Sequence, residues 1–464
     1  MKDYKYVYLI GIGGIGMSAV ARWFNAHEPV QVFGYDRAST ALTHQLTQEG
    51  IQIHFEDRVE AIPAAIKHHK AQSLIVYTPA ISPNNQVLSY LKANHYTVLK
   101  RAEVLGMITQ RYLTLAVAGT HGKTTTSALT AHLLHSAEKS MVGFLGGIAK
   151  GYGANLLVNA PRQQDTLVVI EADEFDRFFL HLQPHLAIVT TIDPDHLDTY
   201  GSAQGFRDAF KAFIARVPAT GKVIVHQKVA QQLQLPEDAP NIVRYALADA
   251  PVSAANVRIW QGDCYFDYIN ENTMIRNLRL AVPGYHNVEN ALAVITACRT
   301  LGLDVASIRR GMATFQGIKR RFDYVIRTEQ LIFLDDYAHH PVEITALLQA
   351  IRGLYPHKKL TAVFRPNLYT RTRDFANAFA QSLDLADQVF LLDIYPDREE
   401  PIKGVTSACI FDQMTLDQKV MCTRENLLEA LRQHSKPEVI VLMGSGGTSS
   451  FVPLIKDFLL THWR

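Results

Sequence analysis

Two apolar runs in this chain break into glycine-rich loops that lead straight into helical patterns. No other feature constrains the fold as tightly. Residues 6–10 run into Gly11-Ile12-Gly13-Gly14-Ile15-Gly16, and residues 113–118 into Gly119-Thr120-His121-Gly122-Lys123-Thr124-Thr125. A strand, a glycine turn and a helix in that order open a βαβ unit, whose parallel strands carry helices across the sheet face. The spacing predicts a helix over 16–26 and further strands at 30–34, 74–77 and 97–99. Beyond the second loop it predicts strands at 167–170, 187–191 and 223–226, then at 331–334, 360–364, 389–392 and 439–443. Residues 240–283 differ. Short polar–apolar alternations at 257–260 and 264–269 read as a small antiparallel extension, with a helix over 288–301 behind it. The expected fold class is α/β with mostly parallel sheets.

The length accommodates several such units. At roughly 150 residues per domain, 464 residues make about three. The net charge is +2, so the strong basic excess of a sequence-wide nucleic-acid binder is missing. Hydrophobic residues are 48% and charged residues 19%, the balance of a packed globular protein. Cys264, Cys298, Cys409 and Cys422 lie far apart, which suits a reducing compartment and gives neither a disulfide scaffold nor a zinc motif. Lys2, Lys5 and the apolar stretch ending Ala19-Val20-Ala21 resemble a short signal peptide, but the glycines inside that stretch suit a tight turn better. No apolar stretch is long enough to span a membrane. The expectation is a cytoplasmic protein without membrane insertion or nucleic acid.

The first loop fits a dinucleotide fingerprint, with Asp36 ending the next strand 20 residues past Gly16. Its glycines let backbone amides approach a pyrophosphate at a helix N-terminus. A nicotinamide cofactor and a nucleotide sugar both satisfy it. The second loop is the stronger signal. Amides of such a turn cradle phosphates, the lysine reaches the β/γ-phosphates and the threonine hydroxyl can bind Mg²⁺. A strict phosphate loop has glycine at position 117. This chain has Val117, with its glycine at 119.

Acidic residues and a histidine then gather at strand ends. Residues 167–170 run into Glu171-Ala172-Asp173-Glu174, and 187–191 into Ile192-Asp193-Pro194-Asp195-His196-Leu197-Asp198. Ligands collect at the carboxyl ends of parallel strands. Glu171 is the first candidate for Mg²⁺, which takes hard oxygen ligands. His196 is either a second ligand or an ordinary hydrogen-bonded histidine. Farther on come Arg320-Arg321-Phe322, Asp335-Asp336-Tyr337-Ala338-His339-His340-Pro341, Arg365 and Arg371-Thr372-Arg373. Arginines on loops after strands suit bidentate recognition of carboxylate or phosphate, although a solvated basic face is the plainer reading.

In this order, and together with His286-Asn287-Val288-Glu289-Asn290, these segments resemble the Mur ligase family, the ATP-dependent amide ligases of peptidoglycan precursor synthesis. The resemblance covers essentially the whole chain. The extended glycine loop with Met17 and Ser18, and the doubled histidine, point to the member that joins L-alanine to the lactyl carboxylate of UDP-N-acetylmuramate. It implies three domains: a Rossmann-like UDP-sugar domain over 1–110, a central ATPase-like domain over 111–320, and a Rossmann-like amino-acid and lid domain over 321–464. It further implies that Gly11, Gly13, Gly14, Ile15, Gly16, Met17, Ser18 and Asp36 take the UDP-sugar. ATP would meet Gly119, Thr120, His121, Gly122, Lys123, Thr124, Thr125, His286, Asn290, Arg321 and Asp336. Thr124, Glu171 and His196 would hold two Mg²⁺, with Mn²⁺ able to substitute. Lys123, Glu171, His196 and Arg371 would be catalytic, and His339, His340 and Arg371 would hold the amino acid. The implied partners are small molecules alone, and the implied assembly is a monomer or homodimer.

The chain also departs from the family pattern. A usual Gln-Pro-His-Arg is Arg365-Pro366-Asn367-Leu368, and a usual Gly-Ala-Gly-Asp is Gly444-Ser445-Gly446-Gly447. Lys211, 15 residues after His196, stands where some sister ligases carry a carbamylated lysine; a solvated lysine on a helix face is the alternative.

Overall fold

A computed structural model describes residues 4–26, 29–159, 165–193, 197–260, 262–396 and 399–463. Its first sheet is built from β1 (Tyr6–Ile10), β2 (Gln31–Tyr35), β3 (Gln52–His54), β4 (Ser73–Tyr77) and β5 (Thr97–Lys100). The order is β3-β2-β1-β4-β5, with every neighbouring pair parallel. Apart from Ser73, whose buried hydroxyl donates to His69 O at 2.9 Å, valine, isoleucine, leucine and tyrosine fill β1 and β4, the composition of a parallel sheet covered on both faces.

The second sheet contains β6 (Leu113–Ala118), β7 (Met141–Ala149), β8 (Ala154–Asn159), β9 (Leu167–Ala172), β10 (Leu186–Val189), β11 (Lys222–His226) and β12 (Ile242–Tyr245). Its order is β12-β11-β10-β6-β9-β7-β8, parallel except for the β7–β8 hairpin. The strand predicted over 187–191 stops at Val189 because the Thr190 hydroxyl turns to the carbonyls of His121 (2.5 Å) and Ala118 (3.3 Å). The sequence pattern does not predict the hairpin. Gly143, Gly146 and Gly147 break its apolar run, and the first two serve close approach instead: a Cβ at Gly143 would lie 2.9 Å from that of Ala131, and one at Gly146 would lie 2.1 Å from Glu171 Oε2.

β13 (Ser253–Trp260), β14 (Asp263–Asn270) and β15 (Thr273–Leu280) form the small antiparallel sheet that the alternating pattern predicts. The last sheet comprises β16 (Asp323–Arg327), β17 (Ile332–Asp336), β18 (Leu360–Phe364), β19 (Gln388–Leu392), β20 (Lys419–Cys422) and β21 (Val439–Met443). It runs β16-β17-β21-β18-β19-β20, with only β16 antiparallel.

The chain forms two compact units, one holding the first two sheets and the other the last sheet. In the first unit a single apolar cluster runs from Val7, Val20 and Trp23 through Phe144, Phe178 and Phe179 to Phe210 and Val225, so the first two sheets share one core. Polar contacts reinforce this seam. Arg22 binds both Glu49 carboxylate oxygens and donates to Asn155 Oδ1, while Asn155 Nδ2 donates to Ile15 O and, at 2.9 Å, to Ser18 Oγ. Among the described residues no helix is long and apolar enough to cross a membrane.

Candidate active site

The first glycine loop leaves β1 at Gly11, whose φ of +84° is a conformation L side chains rarely adopt. Its N–H and that of Ile12 donate to Tyr35 O, so β2 fixes the turn. Asp36 Oδ2 accepts the Gly13 N–H at 2.8 Å. The carboxylate expected to take part in UDP-sugar binding therefore braces the loop as well. Gly14 caps the helix Ile15–Asn25 without a side-chain bond, which leaves that N-terminus to a ligand. A Cβ at Gly16 would overlap Arg101 Nη1 at 1.6 Å, so glycine there admits a guanidinium beside the loop. Met17 and Ser18 are buried, and the Ser18 hydroxyl donates to Ile15 O at 2.9 Å. Both side chains serve the core of this helix.

The second loop is held from the neighbouring strand. Thr120 N donates to Thr191 O (2.9 Å), His121 N to Thr191 Oγ1 (2.8 Å) and Thr120 Oγ1 to Asp193 O (2.8 Å). His121 Nε2 lies 3.4 Å from Asp193 Oδ2. Gly119 has φ +134°, and a Cβ there would lie 2.1 Å from Thr190 Oγ1. Gly122 has φ +83° and caps the helix Lys123–Ser136, with the Asn290 amide 2.7 Å from where its Cβ would be. The loop and the predicted Asn290 are thus brought together. Thr124 is buried in the first turn and Thr125 half-buried.

Lys123 enters this turn already paired. Its ammonium lies 2.7 Å from Glu174 Oε2, 3.9 Å from Asp173 Oδ1 and 3.4 Å from Thr120 O. Glu174 is 2% exposed. Burial opposes the lysine charge, but the carboxylates of Glu174, Asp173 and Glu171 outweigh it and hold the pKa above the ordinary lysine value. Burial, with Asp173 beside it, pushes the Glu174 carboxyl up against the pull of Lys123. Glu171 pairs with Val117 in the β6–β9 register, at the carboxyl edge from which the loop departs. Its Oε2 accepts the Gly146 N–H at 3.1 Å, and a Cβ at Gly146 would lie 2.1 Å away. The hairpin glycine is therefore what lets β7 pass this carboxylate.

In the second unit Asp336, Arg321, His339 and His340 cluster at the carboxyl end of β17. Asp336 is buried and accepts from Phe322 N (2.6 Å) and Ala338 N (2.8 Å). Burial pushes its carboxyl up, against the pull of Arg321 and these two amides. Arg321 stacks on Tyr337 at 4.9 Å and reaches Glu343 at 3.7 Å. Glu343 also binds His339 Nδ1 (3.1 Å) and the N–H groups of His339 (2.9 Å) and His340 (3.3 Å). His340 caps the helix Pro341–Leu354 and packs edge-on against Phe375. Arg371 is buried on the helix Tyr369–Leu383, with Nη1 3.5 Å from Asn367 Oδ1. Leu368, preceding it, holds φ +71°, a strained conformation for leucine. His286 is exposed at the start of the helix Tyr285–Thr300.

Some supporting residues escape sequence reasoning. Thr190, Thr191, Asp193 and Gly146 position the loop and Glu171, but their partners are distant in the chain. Glu174 and Glu343 were legible as types only: one in the acidic run, the other three residues past the His340 cap, as in a capping box. Lys211 is half-buried on the helix Ala203–Ile214. His196, with Asp195, lies outside the described residues.

Residues 6–113 match the Mur ligase family catalytic domain, 117–298 the Mur ligase middle domain and 320–446 the Mur ligase glutamate ligase domain. The chain is 44% identical over 463 residues to the UDP-N-acetylmuramate–L-alanine ligase of Christiangramia forsetii, covering 99% of each. It is 44% identical over 456 residues to the enzyme of the same name from Phocaeicola vulgatus, covering 98% of each. Among solved structures, the UDP-N-acetylmuramate–alanine ligase of Thermotoga maritima superposes with a TM-score of 0.81 at 26% identity, covering 98% of this chain and 99% of that one. A murein peptide ligase from Psychrobacter arcticus shares the fold, with a TM-score of 0.71 at 22% identity, covering 99% of this chain and 100% of that one.

Proposed function

The chain belongs to the Mur ligase family, and on that footing we propose that it joins L-alanine to the lactyl carboxylate of UDP-N-acetylmuramate, with ATP converted to ADP and phosphate. The observation that carries this reading is the nucleotide loop, where the buried Lys123 ammonium is fixed at a helix N-terminus with Glu171 at the adjoining strand end. The full-length similarity to ligases of that name supports the same substrates.

The division of labour follows the segments 1–110, 111–320 and 321–464. The 11–16 loop offers backbone amides to the UDP pyrophosphate. The 119–125 loop holds the ATP phosphates, Lys123 offsets charge on the transferring γ-phosphoryl group, and Asn290 borders the same turn. Transfer to the lactyl carboxylate makes an acyl phosphate, which supplies the leaving group a carboxylate lacks. The alanine amine attacks, and phosphate departs. His339, His340 and Arg371 would orient the amino acid, while His286, Arg321 and Asp336 would contact the nucleotide. Thr124 and Glu171 present hard oxygens suited to Mg²⁺, and Gly146 keeps the space beside Glu171 free of a side chain. Bound there, Mg²⁺ would neutralise phosphate charge. His196 is assigned to a second ion by resemblance alone, with Mn²⁺ as a substitute. The reaction places the protein in the cytoplasm, where its nucleotide substrates are.

The test is phosphate release from ATP in the presence of UDP-N-acetylmuramate, with and without L-alanine. Strong stimulation by L-alanine is expected. Stimulation by a peptide instead would transfer the chain to the murein peptide ligases, and tight NADH binding without competition from UDP would overturn the ligase reading.

A further inference from the structure

The turn after β21 carries donors that the described protein leaves unused. Gly444 (φ +140°) and Gly447 (φ +68°) shape it, and a short turn Thr448–Ser450 leads into the helix Phe451–His462. Its carbonyls are held from one side. Arg320 donates to Ser445 O at 3.1 Å and to Gly444 O at 2.6 Å, and Thr448 Oγ1 donates to Gly444 O at 2.9 Å. Among the described residues, the successive N–H groups of Ser445, Gly446 and Gly447 donate to nothing. Ser445 is only 6% exposed, and its hydroxyl is enclosed in the turn without a partner. Burying such a group unmade is costly, so a buried unpaired hydroxyl beside unpaired amides points to a missing acceptor.

Arg365 completes the set. Its guanidinium lies over Tyr395 at 4.8 Å and near Phe451 at 5.7 Å, and Nη1 is 3.0 Å from where a Gly447 Cβ would be. Its Nε reaches Asp393 O at 3.4 Å. Among the described residues, its two terminal nitrogens have no acceptor and no carboxylate within ion-pair distance. Asp393 and Glu425 act on it only from farther away, and Arg424 shares the Phe451 ring at 5.5 Å. Two departures from the family pattern meet here. An acid is replaced by Gly447, and a glutamine by Arg365. Both changes make the corner more positive.

We propose that Ser445–Gly447 and Arg365 form a binding site for a phosphoryl oxyanion. Successive amides at a strand–glycine–helix junction, a hydroxyl and a guanidinium fork suit a tetrahedral anion with several acceptor oxygens; a carboxylate would engage only part of the set. The anion is either free inorganic phosphate or the phosphoryl end of a nucleotide. The site goes beyond the ligase reading and does not depend on it.

The test titrates the full-length protein with inorganic phosphate, ADP and UDP at constant ionic strength by calorimetry, with folding checked by circular dichroism. Arg365→Gln is the decisive variant, since it restores the family's residue. Gly447→Asp adds a carboxylate at a φ that aspartate tolerates. Lys123→Ala removes the lysine of the other phosphate loop. Saturable binding of phosphate should survive Lys123→Ala and weaken at least tenfold in both Arg365→Gln and Gly447→Asp. If only ADP or UDP shows this dependence on Arg365, the site stands and the nucleotide is its source. If Arg365→Gln leaves all three titrations unchanged, or all saturable phosphate binding vanishes with Lys123→Ala alone, the proposal is wrong.

Discussion

Replacing Lys123 with methionine should cost the ATP-loop domain stability as well as activity, and the cost should depend on pH. The ammonium sits 2.7 Å from Glu174 Oε2 in an almost fully buried pair. At an effective dielectric constant of about 20, that separation corresponds to roughly 6 kcal/mol of attraction before desolvation. Removing one partner of a buried pair costs about 3 to 5 kcal/mol, because the other charge is left uncompensated. Glu174 can escape that cost only by taking a proton. Its carboxyl is already raised by burial, and loss of the lysine raises it further. A carboxyl whose folded pKa exceeds its unfolded value favours the folded state below the unfolded pKa, and that advantage is lost as pH rises through the folded value. The Lys123→Met deficit should therefore be small near pH 5 and large near pH 8. Hydrogen exchange of the helix Lys123–Ser136, corrected for intrinsic rates, reads it locally. Adding Glu174→Gln to Lys123→Met should recover most of the loss. An equal deficit at both pH values, or a double variant no better than the single one, would refute the reasoning.

Other perturbations have equally definite outcomes. Gly119→Ala forces a Cβ to within 2.1 Å of Thr190 Oγ1 at φ +134°, so calorimetric ATP affinity should fall at least tenfold, about 1.4 kcal/mol; Gly153→Ala, with open space around it, is the comparison for a left-handed glycine. Glu171→Gln should raise the Mg²⁺ concentration for half-maximal activity at least tenfold, measured by metal titration, and an unchanged requirement would remove Glu171 from the metal site. His132 is 7% exposed, and burial lowers its pKa from 6.5 to about 4. The unfolded chain then binds a proton first, so about 3 kcal/mol of stability is lost as pH falls from 6.5 to 4. Denaturation of His132→Gln should show a correspondingly shallower acid dependence.

What the sequence makes legible here is local. β1 and β21 are continuous apolar runs, β6 and β18 are each broken only by one buried threonine, Thr114 and Thr361, and the limits of all four coincide with the predicted ones. The two glycine loops are equally clear, because φ values such as +84° and +83° demand glycine. The β7–β8 hairpin is not legible, since Gly143 and Gly146 are there for Ala131 and Glu171, which the local pattern does not reveal. The same holds within the site. Lys123 announces itself by its motif, whereas the threonines that hold its loop and the Glu174 that receives its charge are fixed by neighbouring strands. Met17 and Ser18 lie in a segment expected to bind the UDP-sugar yet are buried, because the start of a helix must also pack against its own sheet.

Asn155 has a consequence for anyone recombining these enzymes. It sits on β8, far along the chain, yet its amide grips Ile15, Ser18 and Arg22 in the helix behind the first glycine loop. A crossover placed near residue 110 would join that helix to a hairpin shaped for a different neighbour, with mismatched donors sealed inside a common core. A graft that transfers residues 1–159 as one piece keeps the grip intact. In this lineage the N-terminal sheet with its first helix and the β7–β8 hairpin should accordingly be inherited as one block, with substitutions at Ile15, Ser18, Arg22 and Asn155 arising in concert.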